Sequence, residues 1–438
     1  MRKFIIYVLT LVMMFCWYTT IYAGETQVDT IKIGLFYASS AKSSIIISSS
    51  GGFYAGSEVD GEFIQDNLIE EASVTVAATD GNAVDVGGYV YSAEQFPTLY
   101  PVSGNIFVEG VEYRGGVQFK RINGGLLTVI NVVNIEEYLY SVIGKEMSPS
   151  WNIEALKAQA VCTRGFAISN KNKFASYGFN LDTTTTSQVY PGVSAETEST
   201  RRAVDETRGQ VLKHNGAIIE SIYCASMGGA SADAANVWGG SYPYLVSVID
   251  PYEDPAEATR YSWSVTLTAD EIKSCLANEG VNIGDIKNVE IVSQDNAGYV
   301  LELRFTGTSG THTVTRSKCR NIFGGKLHSQ RFSIAGTSGS EAVSAGPLRK
   351  FDISGANSNL IYSIAYVFDI PMEIPDIIRY SSPVTAITSP TEYTFNGNGW
   401  GHGVGMSQWG AKAMADKGFG YGDILTFYYT GTYLDSAY

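Results

Sequence analysis

The sequence predicts an α+β chain of mostly short antiparallel strands, with one buried helix near its middle, an inserted β-α-β-β segment and helices at the C-terminal end. Three observations carry that expectation. Forty-six glycines and 28 tyrosines stand among many Val, Ile and Thr runs, which suits short strands and tight turns. Short stretches of the first third alternate apolar and polar side chains, as strands with one wet face do. Near residue 160 the pattern changes to a run that is apolar on nearly every side of a helix, so that helix must be buried. With 45% hydrophobic and only 17% charged residues in 438, the chain can fill one or two cores, which excludes general disorder.

The elements follow in order. Residues 1–23 carry Arg2 and Lys3, an apolar run from Phe4 to Tyr18, and Ala23 before Gly24-Glu25-Thr26. A secretory signal cleaved after Ala23 is expected, with an uncleaved membrane anchor as the alternative. Alternation places strands at 31–36, 74–77, 117–120 and 126–133, and a shorter β-prone run at 89–91, each bounded by Gly, Asn or Ser. The buried helix starts with Ser150 or Asn152 as its cap and runs to about Ile168, with Lys157 and Arg164 on one stripe. A strand at 262–267, a helix at 269–278 and strands near 289–292, 299–305 and 312–314 form the inserted segment. Residues 336–390 mix Gly/Ser loops with strand-like runs such as 361–368. Strand 393–395 then leads into a glycine-rich loop, a helix from about Ser407 to Lys417 stopped by Gly418, and a last helix over 424–429.

Lys plus Arg total 30 against 44 Asp plus Glu, a net charge of −14 that becomes −16 once the leader is set aside. So acidic a chain is a poor partner for nucleic acid, whose phosphates want a basic face. Cys162, Cys224, Cys275 and Cys319 follow the leader without a C-x-x-C pair, and the histidines are His214, His312, His328 and His402. No metal site and no cofactor are expected. Export permits disulfides; Cys275 with Cys319 is the favoured pair because both lie in one segment, and buried thiols are the alternative.

Three clusters carry candidate chemistry. Glu146 precedes the proline-marked turn at Pro149 and the buried helix, an apolar setting that would raise a carboxyl toward the value a general acid needs. Taken alone, it reads more readily as a solvated turn residue. Lys157 and Arg164 call for an anion, whether Glu146 or a structural partner such as Glu154 or Asp182. Tyr223-Cys224-Ala225-Ser226-Met227-Gly228-Gly229, then Trp238-Gly239-Gly240 and Pro243-Tyr244-Leu245, set aromatic rings beside glycine turns, which suits sugar faces or core packing. Glycine at every second position from Gly397 to Gly405 makes a thin loop that another chain could approach closely. Its spacing is wrong for a dinucleotide fingerprint and no βαβ unit surrounds it. His402 within it is a catalytic residue, a metal ligand or a hydrogen-bonded prop.

The stretch 137–167 (EYLYSVIGKEMSPSWNIEALKAQAVCTRGFA), Asp182-Thr183-Thr184, Ser187-Gln188-Val189-Tyr190, the Trp238-Gly239-Gly240 turn and GNGWGHGVGMSQWGA at 397–411 resemble the stage II sporulation protein D and LytB family. The resemblance covers most of residues 100–335 and 393–433. It implies a lytic transglycosylase acting on peptidoglycan glycan strands, between MurNAc and GlcNAc with 1,6-anhydro ends, and Glu146 as the catalytic acid. It further implies substrate-binding or site-supporting roles for Lys157, Arg164, Gln188, Tyr190, Ser226, Gly229, His402, Ser407 and Gln408. Two positions depart from the family's pattern: Tyr223-Cys224-Ala225 stands where Tyr-His-Ser is common, and Ser187 where a cysteine is common, which argues against zinc there.

The expected organisation is a leader (1–23), an N-terminal β region (24–118), a catalytic core (119–260 with 393–433), the inserted α+β segment (261–335) and a variable segment (336–392). The expected protein is exported, extracellular or attached to the cell wall, and its partner is the glycan strand, with or without stem peptides. The alternatives are a non-catalytic enhancer of a cell-wall amidase, which gives the amidase as partner, and a glycan-binding module.

Overall fold

The computed structural model describes residues 30–59, 61–335 and 390–438. The leader and the strand-like run 361–368 lie outside the described residues. The expected α+β class holds: short antiparallel strands form two large sheets, and helices cover them.

Strand Leu126–Asn134 lies inside the first sheet, and every side chain from Leu127 to Val133 of LLTVINVVN is buried. It pairs antiparallel with Gly116–Ile122 on one side and Thr30–Phe36 on the other. Four further strands complete this seven-stranded sheet, ending in Glu62–Ile69 at one edge and Leu181–Asp182 at the other. That last pairing, Ile33 opposite Leu181, is parallel. A six-stranded sheet running from Val111–Tyr113 to Tyr89–Ser92 supplies Ile47, Val76 and Val86 to the same core that Phe53, Leu99 and Val129 enter from the first sheet. The five expected strands are present, each one to three residues longer than the alternation alone marks.

Two helices pack on this core. Helix Ile153–Ser169 is capped by Asn152, whose Oδ1 accepts from the Glu154 amide at 3.1 Å, and it is buried from Ala155 to Gly165 apart from Lys157. Helix Ile135–Glu146 precedes it and is not signalled by the sequence pattern. Asn134 caps it, and it stops at Met147 because Ser148 stands before Pro149, where helical backbone is disfavoured. Glu146 is therefore the last helical residue rather than part of a turn. Helices Gln408–Asp416 and Tyr421–Tyr428 close the chain against the same core.

The inserted segment, in which a strand and a helix are followed by three strands rather than two, builds a second core around Trp263, Leu267, Ile272, Leu303, Phe305 and Phe323. Its helix Ala269–Asn278 starts with a capping box, Thr268 and Glu271 bonding each other's backbone amides. Strand Glu392–Asn398 pairs with Ser262–Thr268 and Phe332–Ala335 and sends Tyr393 and Phe395 into this second core, so the chain crosses from one core to the other at the glycine loop. The favoured Cys275–Cys319 disulfide is not formed. All four described cysteines are buried free thiols, and the Cys319 thiol donates to the Val314 carbonyl at 3.5 Å. Among the described residues no helix is long and apolar enough to cross a membrane.

Candidate functional site

A cleft of about 690 Å³ opens beside the end of helix Ile135–Glu146. Glu146, Phe166 and Lys173 line it together with Thr185, Thr186 and Ser187 from the loop after Leu181–Asp182. Glu220, Ile222 and Tyr223 add a further stretch, and Trp238, Gly240, Tyr242 and His402 complete the lining. Trp238 and Tyr242 remain 43% and 36% exposed, so their ring faces are open to a ligand.

Glu146 is half-buried, and burial raises its pKa; the Gln408 side chain, the Lys145 charge and the Val189 amide pull the other way without restoring the ordinary value. Gln408 Nε2 donates to its Oε2 at 3.4 Å and lies equally far from Gln159 Oε1. Gln408 is placed by Ser407, whose Oγ accepts from the Gly410 amide and starts the helix. The result is a carboxyl that stays protonated to higher pH than a free one, next to a cavity with aromatic walls.

Tyr223 is set by one side-chain amide. Tyr138 donates its hydroxyl to Gln188 Oε1 at 3.1 Å, and Gln188 Nε2 donates to the Tyr223 hydroxyl at 3.1 Å. His402 stands 5.2 Å from Trp238, ring centre to ring centre, and its Nδ1 accepts from the Val404 amide at 3.0 Å. Burial, helped by the Arg320 charge, pushes its pKa down to about 4, so it is a neutral ring with its proton on Nε2.

The resemblance-implied residues thus divide. Glu146 and His402 line the cleft, Gln408 touches Glu146, and Gln188 holds Tyr223. Tyr190 lies behind them, donating to Asn131 Oδ1 at 2.9 Å, and Ser407 acts as a cap. Ser226 pairs its backbone with Trp400, and its buried hydroxyl stands beside the Glu253 carboxyl. Gly229 holds a turn with φ +102°.

Of the anions open to Lys157 and Arg164, Glu146 meets neither, and the structural alternative Glu154 meets Lys157. Arg164 is wholly buried and forks onto Glu136 at 2.9 and 2.5 Å, while Lys157 pairs with Glu154 and Glu206. The anion that the Arg164 stripe requires comes from the preceding helix. The glycine loop likewise makes its close approaches inside the protein. A Cβ on Gly405 would lie 1.8 Å from the Ile222 carbonyl, and one on Gly403 would lie 2.2 Å from the Tyr299 hydroxyl. Lys173, Glu220, Thr185, Thr186 and Tyr242 belong to the cleft without having been marked by any motif. They come from loops brought together by the fold, and only the aromatic content around Tyr242 gave a hint.

The arrangement offers one carboxyl primed to give a proton, a second carboxylate at Glu220 held by Asn170 Nδ2 at 3.0 Å, one ammonium at Lys173, and ring faces for an apolar surface. Sugar rings fit such a surface. Among the described residues no three His, Cys, Asp or Glu side chains converge as a metal site would need.

Comparison with known proteins gives the chain its relatives. Residues 123–214 match the model of the SpoIID family, described as stage II sporulation protein, and residues 245–358 match a domain of unknown function. The amidase enhancer of Bacillus subtilis (strain 168) is 31% identical over 367 residues, 81% of this chain and 48% of that protein. An uncharacterized protein of Brachyspira hyodysenteriae is 30% identical over 74% of this chain and 72% of its own length. Stage II sporulation protein D of Bacillus subtilis is 28% identical over 70% of this chain and 75% of its own. The chain therefore spans about half the length of the amidase enhancer and about three-quarters of the other two.

Proposed function

The chain belongs to the SpoIID/LytB family, and from that premise we propose that it is a peptidoglycan lytic transglycosylase with Glu146 as its general acid and base. One observation carries the reading: a half-buried carboxyl with raised proton affinity ends a helix inside a cleft walled by exposed aromatic rings. In the reaction the Glu146 carboxylic acid gives its proton to the glycosidic oxygen between MurNAc and GlcNAc as the C1–O bond breaks. The carboxylate so formed takes the proton from the C6 hydroxyl of the same MurNAc while O6 attacks C1, leaving a 1,6-anhydro end and a neutral Glu146. Water is not consumed, so no second carboxylate has to activate one, unlike the usual two-carboxylate glycosidases. Gln408 steadies the carboxylate between the two transfers, and Trp238, Tyr242 and Tyr223 receive the sugar rings.

A second reading, a non-catalytic enhancer of a cell-wall amidase, is favoured by the likeness to the amidase enhancer over most of the chain. The Glu146→Gln protein separates the two. Release of anhydro-ended fragments from purified strands is lost in this variant under the first reading. Under the second, neither protein releases fragments and both stimulate a partner amidase equally.

A further inference from the structure

The chain is acidic, yet its arginines are unevenly engaged. Among the described residues, arginine ion pairs involve Arg114, Arg164, Arg201, Arg202, Arg208 and Arg304. Arg260, Arg316 and Arg320, all within the 245–358 domain of unknown function, have no carboxylate partner there. They sit around the glycine loop. Arg260 stacks 4.2 Å from the ring centre of Trp400, which is 39% exposed, and its Nη1 is 3.4 Å from His328 Nδ1. The Arg316 guanidinium lies over Gly239, so close that a Cβ there would be 2.8 Å from Nη1, and Gly239 adjoins Trp238 in the cleft. Arg320 is half-buried, and its only polar side-chain contact among the described residues is with Asn321 Oδ1 at 3.3 Å. Its charge is felt by both His328 and His402, whose pKa values it helps to lower.

We propose that Arg260, Arg316 and Arg320 form a binding site for carboxylates carried by a glycan strand that lies in the adjoining cleft. Two features favour a glycan over another anion. Each end of the strip has an exposed indole, Trp400 and Trp238, whose face suits a sugar ring, and Trp238 and His402 belong to the strip and the cleft at once. A half-buried guanidinium with no carboxylate is costly in the free protein, and a bound oxyanion removes that cost while matching the planar fork. The domain of unknown function thereby gains a role, reading charge along the strand beside the site of cleavage.

The test uses the Glu146→Gln protein, so that strands are bound and not cut, and so that the outcome does not depend on catalysis by Glu146. Binding is measured by co-sedimentation with purified glycan strands, with the same strands after amidation of their carboxylates, and with poly(glycerol phosphate). Arg260→Gln and Arg316→Gln alter exposed residues and are checked for folding by circular dichroism. Each change should weaken binding to native strands by up to roughly fivefold, the upper value for an exposed charge pair, and the double variant by up to about 25-fold. Neither should alter binding to amidated strands. Equal binding of native strands by the double variant and its parent overturns the site, as does an equal loss on amidated strands. Arginine-dependent binding of poly(glycerol phosphate) tighter than that of glycan would assign the strip to a phosphate polymer and overturn the proposal as well.

Discussion

Gly403→Ala is expected to act through stability rather than through the cleft, and the structure supplies the magnitude. Gly403 has φ +79°, a left-handed conformation that costs an L-residue roughly 1–2 kcal/mol. A Cβ would also sit 2.2 Å from the Tyr299 hydroxyl and 2.7 Å from its ring, so the tyrosine has to move. That hydroxyl donates to the buried Ala230 carbonyl at 2.9 Å, and leaving the carbonyl unpaired costs about 1–3 kcal/mol. The two costs together come to about 2–5 kcal/mol. Gly418→Ala is the reference: its φ is +91° and nothing lies within 4 Å of an added Cβ, so only the backbone cost applies. Thermal unfolding followed by circular dichroism should place Gly403→Ala on the order of 10 °C below wild type and Gly418→Ala only a few degrees below. Equal Tm values for the two variants would refute the internal packing of this loop and return it to a role in approaching substrate.

Three further outcomes follow from the buried charges. Arg164→Met strands the Glu136 carboxylate in the interior and should cost about 3–5 kcal/mol in urea unfolding, while the protein that remains folded keeps its kcat. In the proposed mechanism Glu146 is protonated at the start, and its pKa is raised, so kcat/KM should fall as pH rises through that raised value; His402, neutral above about 4, contributes no step there, so His402→Gln should leave this limb in place. Glu253 is buried, and its pKa is pushed up to about 7 from 4.5, chiefly by burial. The folded state thus holds the proton more tightly than the unfolded chain, and stability present below pH 4.5 is lost as pH rises toward 7. The loss amounts to about 3 kcal/mol, and a flat urea-unfolding profile over that window, identical in Glu253→Gln, would contradict it.

Much of the fold is legible because period-2 alternation and an all-round apolar helix leave a signature in short windows. Strand Leu126–Asn134 and helix Ile153–Ser169 are both visible this way. Helix Ile135–Glu146 is not, since Tyr138, Tyr140, Val142 and Ile143 favour strands and Gly144 breaks the pattern. That glycine is explained only in three dimensions, where the Ala195 carbonyl would be 1.9 Å from a Cβ. Glu146 could be read from its motif, whereas the partner of Arg164 could not. Helix geometry announced a buried cation but not which carboxylate, 28 positions away, would meet it. Lys173 and Glu220 carry no local signature, because a cleft assembled from separate loops is a property of long-range packing.

The central claim is that the strand is cut by its own C6 hydroxyl under the control of Glu146, and product analysis in ¹⁸O-labelled water tests it most directly. Purified glycan strands are digested in that water and the new ends weighed by mass spectrometry. The account predicts fragments lighter by one water than hydrolysis products, carrying no ¹⁸O, and absent with folded Glu146→Gln. Fragments that incorporate ¹⁸O at the new reducing end would mean that water attacks, with Glu220 then the first candidate to activate it, and undiminished cleavage by Glu146→Gln would remove Glu146 from the chemistry altogether.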